Sequence, residues 1–282
     1  MQFIRIVPRL DIKGPNLVKG VHMEGLRVLG KPEDFALQYY KEGADELIYH
    51  DCVASLYQRN SLLDIISKTV KNVFIPITVG GGLRSIQDIM TVLKSGADKI
   101  SLNTAAIKKP DFINESAKVF GSSTIVIAIE ASKQQDGKYY AFTDNGREHT
   151  GQEVISWAQQ VEQRGAGEIL LTSIDNEGTG LSYDQELVQS IVNKVSIPVI
   201  VHGGAGKIDH CLDLLNLTYV NALCISSMLH YTFIHNNEIK EENFNEGNLE
   251  FIKNKRNFKL FENATIQKIK EKLIEKKFNI RT

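Results

Sequence analysis

Two stretches of this 282-residue chain have the residues and spacing to hold an anion: Ile75–Ser85, IPITVGGGLRS, and Ile197–Lys207, IPVIVHGGAGK, 122 residues apart. Each reads as a short apolar strand running into glycines and then into a helix start, Ile86-Gln87-Asp88 or Ile208-Asp209-His210. Glycine lets the backbone approach a phosphate, and the first free N–H groups and the dipole of the helix point at it. Small polar residues extend each turn. Gly81 and Gly82 go with Asn103 and Thr104, and Gly203 and Gly204 go with Gly178, Ser226 and Ser227. Two such sites point to a substrate phosphorylated at both ends. Lys19, after the first strand, either swings over one phosphate or faces solvent.

Carboxylates are the second chemical signal. Asp11 and Glu130 each end a strand candidate, and two carboxylates facing one another across a pocket can divide acid and base roles. The alternative is that they cap loops. Arg5, Glu46, Lys99 and Glu168 begin strand candidates, and the parity between Arg5 and Asp11 points both side chains to one face. Four charges of alternating sign can close into a ring, either satisfying one another or gating a passage through the core. The seven histidines show no HExxH spacing and there is no GxSxG elbow. No metal or organic cofactor is expected.

Eight short β-branched runs position these residues: Phe3–Asp11, Glu46–Asp51, Ile75–Val79, Lys99–Leu102, Thr124–Ile129, Glu168–Thr172, Pro198–His202 and Ala222–Ile225. Helix patterns lie between most of them, at Pro32–Glu42, Leu62–Val70, Ile86–Ser95, Asp111–Val119, Gly151–Arg164 and Asp184–Val195. Eight such units predict a single (β/α)8 barrel, which typically takes about 250 residues. A doubly wound sheet is the rival, but no GxGxxG follows the first strand. Internal similarity predicts two halves, about 1–121 and 122–282. Ala44-Asp45-Glu46-Leu47-Ile48 answers Ala166-Gly167-Glu168-Ile169-Leu170, and Leu10-Asp11 answers Ile129-Glu130 at a nearly equal offset. Ile12–Leu29 reads as a long loop over the barrel mouth, and Gln134–Thr150 as a hairpin inserted after the fifth strand. The stretch at about 231–263, Tyr231–Asn263, is rich in Asn, Glu and Lys and reads as a solvated insertion before a last helix, Ile266–Lys276.

Composition excludes several classes. Net charge is −1 with no basic block, which argues against a nucleic-acid partner. No apolar run approaches the ~18 residues of a membrane span. Cys52, Cys211 and Cys224 are scattered without metal spacing and read as reduced thiols. The N-terminus enters a strand pattern with no secretory signal, so the expected compartment is the cytoplasm.

The segments LDIKGPNLVKG, GADELIYHDCVAS, IPITVGGG, GADKISLNTAA, RGAGEILLTSIDNEGT and HGGAGK, in this order, resemble the cyclase subunit family of imidazole glycerol phosphate synthase (HisF-like) over nearly the whole chain. The resemblance implies a duplicated half-barrel and a glutaminase (HisH-like) docked at the N-terminal face of the barrel. Ammonia would pass through the barrel to a ribulosyl aminoimidazole carboxamide nucleotide carrying two phosphates. The products would be imidazole glycerol phosphate and an aminoimidazole carboxamide ribotide. It further implies that Asp11 and Glu130 are catalytic, that Arg5, Glu46, Lys99 and Glu168 form an ammonia gate, that Lys19 sits on a mobile loop, and that Asp98 belongs to the docking face.

The chain departs from that family at named positions. Glu130 stands where the family has aspartate, and Glu177 of IDNEGT, placed with the phosphate-binding residues, where aspartate is usual. Arg9 replaces a small residue and His202 a small hydroxyl residue. A set of changes gathered in the pocket is also similar to the glycosyl amidation-associated (WbuZ-like) offshoot. That alternative implies ammonia relay to a separate sugar amidotransferase without imidazole ring closure. A third possibility, an isomerase of a related phosphorylated aminoimidazole compound, shares the two-phosphate half-barrel, but the gate charges and IDNEGT count against it.

Overall fold

Residues 3–54, 62–237 and 260–281 are described by the computed structural model of the chain. Their strands are β1 (Arg5–Lys13), β2 (Asn16–Val21), β3 (Glu24–Gly30), β4 (Leu47–Asp51), β5 (Ile77–Gly80) and β6 (Lys99–Leu102). There follow β7 (Ile125–Lys133), β8 (Tyr139–Thr143), β9 (Glu148–Glu153), β10 (Glu168–Ser173), β11 (Val199–His202) and β12 (Ala222–Ile225). Parallel pairing runs β10-β11-β12-β1-β4-β5-β6-β7 and closes from β7 back to β10. The fold is a (β/α)8 barrel. Its helices are α1 (Pro32–Lys41), α2 (Leu63–Thr69), α3 (Ile86–Lys94), α4 (Thr104–Lys108) and α5 (Asp111–Phe120). The later ones are α6 (Val154–Gln163), α7 (Gln185–Val192), α8 (Ile208–Leu217), α9 (Ser227–Asn236) and α10 (Ile266–Glu275). Among the described residues no helix is long and apolar enough to cross a membrane.

Strand parity divides the interior from the shell. Outward-facing residues such as Ile6, Leu47, Tyr49 and Ile100 join Phe35, Tyr39, Ile66 and Trp157 of the helices in one large core. The inward-facing Val7, Ile48, Val126, Ala128, Leu170 and Ile200 belong to a separate small cluster inside the barrel. Charged and polar side chains stand above and below that cluster on the same strand faces.

The segment Ile12–Leu29, expected to be a loop, is instead β-structure. Strand β1 continues beyond the barrel and pairs antiparallel with β2, which pairs with β3. Two features hid this hairpin. Leu17, Val18, Lys19 and Gly20 are all buried, so no polar alternation marks β2. Its turn uses His22 and Met23 at φ 52° and 63°, positions where glycine or asparagine would have been the signal. The hairpin expected within Gln134–Thr150 is formed by β8 and β9. The described parts of Tyr231–Asn263 are not a solvated excursion. Tyr231–Asn236 completes α9 with Tyr231, Thr232 and Ile234 buried, and Phe261 packs edge-on against Tyr231 at 5.0 Å. Residues 238–259 of that stretch lie outside the described residues.

At the N-terminal end of the barrel, a buried ion pair ties α10 to the segment before β4. Lys270 Nζ on α10 donates to Asp45 Oδ1 at 2.8 Å and to the Arg281 carbonyl at 2.7 Å. The other oxygen of Asp45 accepts from Ile6 N at 2.7 Å. Replacing one partner strands a buried charge, which costs about 3–5 kcal/mol. Asp45→Ala is expected to lower stability in urea unfolding by roughly 3 kcal/mol. A loss near zero would show that the pair does not secure the C-terminal helix.

Candidate active site

Two anion cradles form at the C-terminal end of the barrel, and their backbones match. Gly81 and Gly203 follow β5 and β11 at φ 103° and 102°. A Cβ at Gly81 would lie 2.5 Å from the Asp51 carbonyl oxygen, and one at Gly203 2.7 Å from that of Ser173. Both turns therefore require glycine. The helix that follows each turn has its N-terminus occupied from within. Ser85 and Asp88 form a capping box on α3, and Glu262 Oε2 accepts from Ile208 N at 2.9 Å on α8. The helices after the next strands differ. Asn103 and Ser226, preceding α4 and α9, share an unusual backbone (φ −130°, ψ −86° and φ −125°, ψ −76°) and cap nothing with their side chains. First-turn N–H groups there remain available to an anion.

Gly81, Gly82, Asn103 and Thr104 line one cavity of about 270 Å³, together with Glu130 and His50. Gly178, Gly203, Gly204, Ser226 and Ser227 line a second, much smaller cleft with Glu177 and His202. The hydroxyl of Ser227 is buried without a hydrogen-bond partner in this cleft, as a phosphate contact would require.

Asp11 and Glu130 occupy equivalent positions in very different surroundings. Each stands where a barrel strand is pinned on both sides: Asp11 opposite His50 and Val18, Glu130 opposite Thr172 and Phe142. Asp11 Oδ1 accepts from Arg9 Nε at 2.7 Å, and Oδ2 lies 3.4 Å from Lys19 Nζ. Burial alone would raise the Asp11 carboxyl, but Arg9 and then Lys19 outweigh it and hold it well below the usual carboxylate range. Arg9 is itself enclosed. Its Nη1 donates to Thr172 Oγ1 at 3.3 Å and lies 3.5 Å from His202 Nδ1. Burial, followed by the charges of Arg9 and Lys19, pushes His202 well below its ordinary value, so the ring is neutral. With Nδ1 accepting from Arg9, Nε2 carries the proton toward Ser226 Oγ at 3.2 Å.

Glu130 has fewer charged partners. Its Oε2 accepts from Gly146 N at 2.9 Å, and Oε1 lies 3.9 Å from His50 Nε2. Burial pushes the carboxyl up to about 7, against the opposing pull of Arg9 and the Gly146 N–H. Burial and then Arg9 push His50 down to about 3, so it faces Glu130 as a neutral ring. Near neutral pH the mouth thus holds one fixed anion and one carboxyl poised to give or take a proton.

At the opposite end, Arg5, Glu46, Lys99 and Glu168 meet in a closed ring. Arg5 bonds Glu46 at 2.7 Å and also Glu168, while Lys99 lies 3.1 Å from Glu46 and 3.2 Å from Glu168. Asp98 lies beside this ring on the N-terminal face, exposed, with Oδ2 accepting from Ile77 N at 2.9 Å.

The sequence-predicted residues thus gather into three groups: two cradles at the mouth and one ring at the base. Asp11 does not line the larger cavity with Glu130, because Arg9 and Lys19 enclose it. Lys19 is neither on a loop nor solvent-facing; it is a buried strand residue that pairs with Glu177 and Asp11. Sequence reading passed over His50, Asn145 and Phe261, which all line the two pockets. His50 was recoverable, since it has the inward parity of Glu46 and Ile48. Asn145 falls inside the hairpin expected over Gln134–Thr150, with no sign there of a role in the pocket, and nothing in the sequence marks Phe261.

The family described as histidine biosynthesis protein matches residues 5–235. The imidazole glycerol phosphate synthase subunit HisF of Legionella pneumophila is 57% identical over 209 residues, covering 74% of this chain and 99% of the relative. The subunit of that name from Prochlorococcus marinus (strain AS9601) is 45% identical over 242 residues, covering 85% of this chain and 94% of the relative.

The raised Glu130 carboxyl makes stability depend on pH. The unfolded chain releases this proton near 4.5 and the folded chain near 7, so the folded state holds the extra proton between them. Stability contributed by the protonated group is full below about 4.5, falls as pH rises, and is gone above about 7. The loss amounts to roughly 3 kcal/mol. Urea unfolding at pH 5 and pH 8 should show this fall, and Glu130→Gln should remove most of it. An unchanged slope in that variant would mean that Glu130 is ionised throughout.

Proposed function

The chain belongs to the histidine biosynthesis protein family, and on that premise we propose that it is the cyclase subunit of an imidazole glycerol phosphate synthase. The observation that carries the reading is the pair of matched glycine cradles with a carboxyl of intermediate acidity beside them. A bis-phosphorylated ribulosyl aminoimidazole carboxamide nucleotide would be held at its two ends, one in each cradle. The names of the relatives favour this cyclase over the sugar-amidation relay. We place the protein in the cytoplasm, where its buried cysteines stay reduced.

In the proposed mechanism ammonia passes the basal ring, crosses the apolar interior and attacks the ribulosyl carbonyl. Loss of water gives an imine. Ring closure and departure of the carboxamide ribotide then need one proton delivered and one removed. Glu130 delivers the proton, because it still carries one near neutral pH. Asp11 stays ionised and stabilises developing positive charge. It takes up a proton only once Lys19 leaves it for a substrate phosphate. Within the basal ring, Lys99 has the longer contacts and the more exposed side chain, which makes it the member best able to swing aside. Glu130 is one methylene longer than aspartate, and Gly146 N receives the longer side chain.

The partner that supplies ammonia would be a glutaminase seated over the basal ring. Phe3, Phe74 and Tyr219 precede β1, β5 and β12, are each more than half exposed, and share that face with Asp98. Exposed aromatic residues beside a polar rim suit a protein interface.

Purified protein given the bis-phosphate substrate and ammonium salt should turn it over, with the substrate absorbance falling. Glu130→Gln and Asp11→Asn should each lose about 100-fold or more in kcat, the range for a positioned acid or base, with KM changed little. Tight binding without turnover would mean that Glu130 does not substitute for aspartate; neither binding nor turnover would sink the assignment. Phe74→Glu should weaken glutaminase binding by about tenfold while ammonium-dependent turnover persists. Equal loss of both activities would place Phe74 outside the docking face.

A further inference from the structure

Four hydrogen bonds tie the turn between β8 and β9 to three parts of the site. The Phe142 carbonyl accepts from Asn103 Nδ2 at 3.1 Å, and Asp144 N donates to Thr104 Oγ1 at 3.2 Å. Gly146 N donates to Glu130 Oε2 at 2.9 Å, while Asn145 Nδ2 donates to the Met23 carbonyl at 3.1 Å. Met23 is the tip of the β2–β3 hairpin, and both it and Asn145 are buried. The two tips touch so closely that a Cβ at Gly146 would lie 3.2 Å from Met23 Sδ. Asn145 adopts φ 60°, which asparagine tolerates better than most residues, so one residue supplies both the backbone shape and the amide that grips the other hairpin.

From this geometry we propose that Asn145 is a positioning residue that couples docking of the first hairpin over the barrel mouth to the proton held by Glu130. The proposal rests on the reading of Glu130 as the acid. With the tip docked, Met23 and the 144–146 turn close the carboxyl on the side away from the cavity, and burial favours its protonated form. With the tip released, water reaches the carboxyl and its ionised form gains. The other groups facing Glu130 are Arg9 and Asp11 on β1, His50 on β4 and Asp144 in the turn. None of them sits on the hairpin tip, so docking changes the solvation of Glu130 more than its charged surroundings. Substrate that draws the first hairpin down would thereby load the acid at the moment it is needed.

Two variants test the coupling. Asn145→Gly removes the amide and keeps the left-handed backbone accessible. Asn145→Asp keeps the shape but sets an acceptor against the Met23 carbonyl. The Glu130 carboxyl is followed by carbon NMR in protein labelled at glutamate carboxyls, its signal assigned by loss in Glu130→Gln, and docking is followed by trypsin cleavage at Arg27. Thermal melts confirm that each variant is folded. Both variants should be cut about fivefold faster in the first hairpin. Asn145→Gly, which adds no charge, should titrate Glu130 about one pH unit lower, a tenfold change in its protonation equilibrium; the new carboxylate of Asn145→Asp opposes that fall, so this variant is read by cleavage alone. Faster cleavage with an unmoved titration would show that docking and protonation are independent. No change in either would show that Asn145 does not hold the tip. If Glu130 in the unaltered protein titrates in the ordinary carboxylate range, the acid reading fails and the coupling falls with it.

Discussion

Closure of the parallel barrel from β7 to β10 is the constraint on which the site depends. A closed barrel has no free edge, so every second side chain must point into a narrow interior whatever its polarity. Arg5, Val7, Arg9 and Asp11 share that interior face on one strand, which carries charge at the base, an apolar residue above it, and charge again toward the mouth. The apolar cluster around Val7 and Leu170 separates two polar levels that would otherwise neutralise one another. Charge can persist at both ends because each level is satisfied internally: a four-member ring below, and the Arg9–Asp11–Lys19–Glu177 chain above.

The two glycine turns match in backbone, but the strands that carry the two carboxyls differ beneath them. Arg9 lies two residues before Asp11, and Ala128 lies two residues before Glu130. Both face inward. Arginine fills its side of the barrel, reaches Thr172 and His202, and fixes the neighbouring carboxylate as an anion. Alanine leaves room instead, and the larger cavity opens over it with Glu130 on its wall. Volume and charge therefore change together. The side that loses space gains a carboxylate held ionised while Arg9 and Lys19 both face it, and the side that gains space keeps a carboxyl of intermediate acidity. A closed barrel needs no change of fold to make acid and base inequivalent.

Much of this was legible in the sequence because periodicity and glycine chemistry are local signals. Strand parity placed Arg5 and Asp11 on one face, and the runs IPITVGGG and IPVIVHGG marked both turns that a Cβ would block. What stayed hidden depends on contacts between distant segments. Lys19 resembles a surface lysine until β2 is laid across the mouth against Glu177, and that placement has no sequence periodicity because β2 is covered on both faces. Helix α4 is a five-residue element whose start serves the cradle, too short for an amphipathic pattern. Helix α9 is buried on nearly all sides, so the apolar stripe that would announce it has no polar counterpart. Phe261 and Glu262 reach the second cradle and the start of α8 from beyond residues 238–259, a contact that no local rule could supply.

The lengths of the two carboxylic acids follow from the same frame. Asp11 finds a partner on its own strand, because the Arg9 side chain folds back to reach it at 2.7 Å, and a short acid suffices. Glu130 has alanine at the corresponding place, so no charge waits within reach on its strand. Its hydrogen-bond donor is the Gly146 N–H, displayed by a turn that belongs to the neighbouring hairpin. Reaching it takes the additional methylene, and the bond it finds there is to a neutral donor, not a cation. A neutral donor lowers a carboxyl far less than a guanidinium does, so burial keeps control of the proton. Side-chain length, the alanine beneath and the turn beside Glu130 are thus one matched set, and changing any member alone would leave the other two without their purpose.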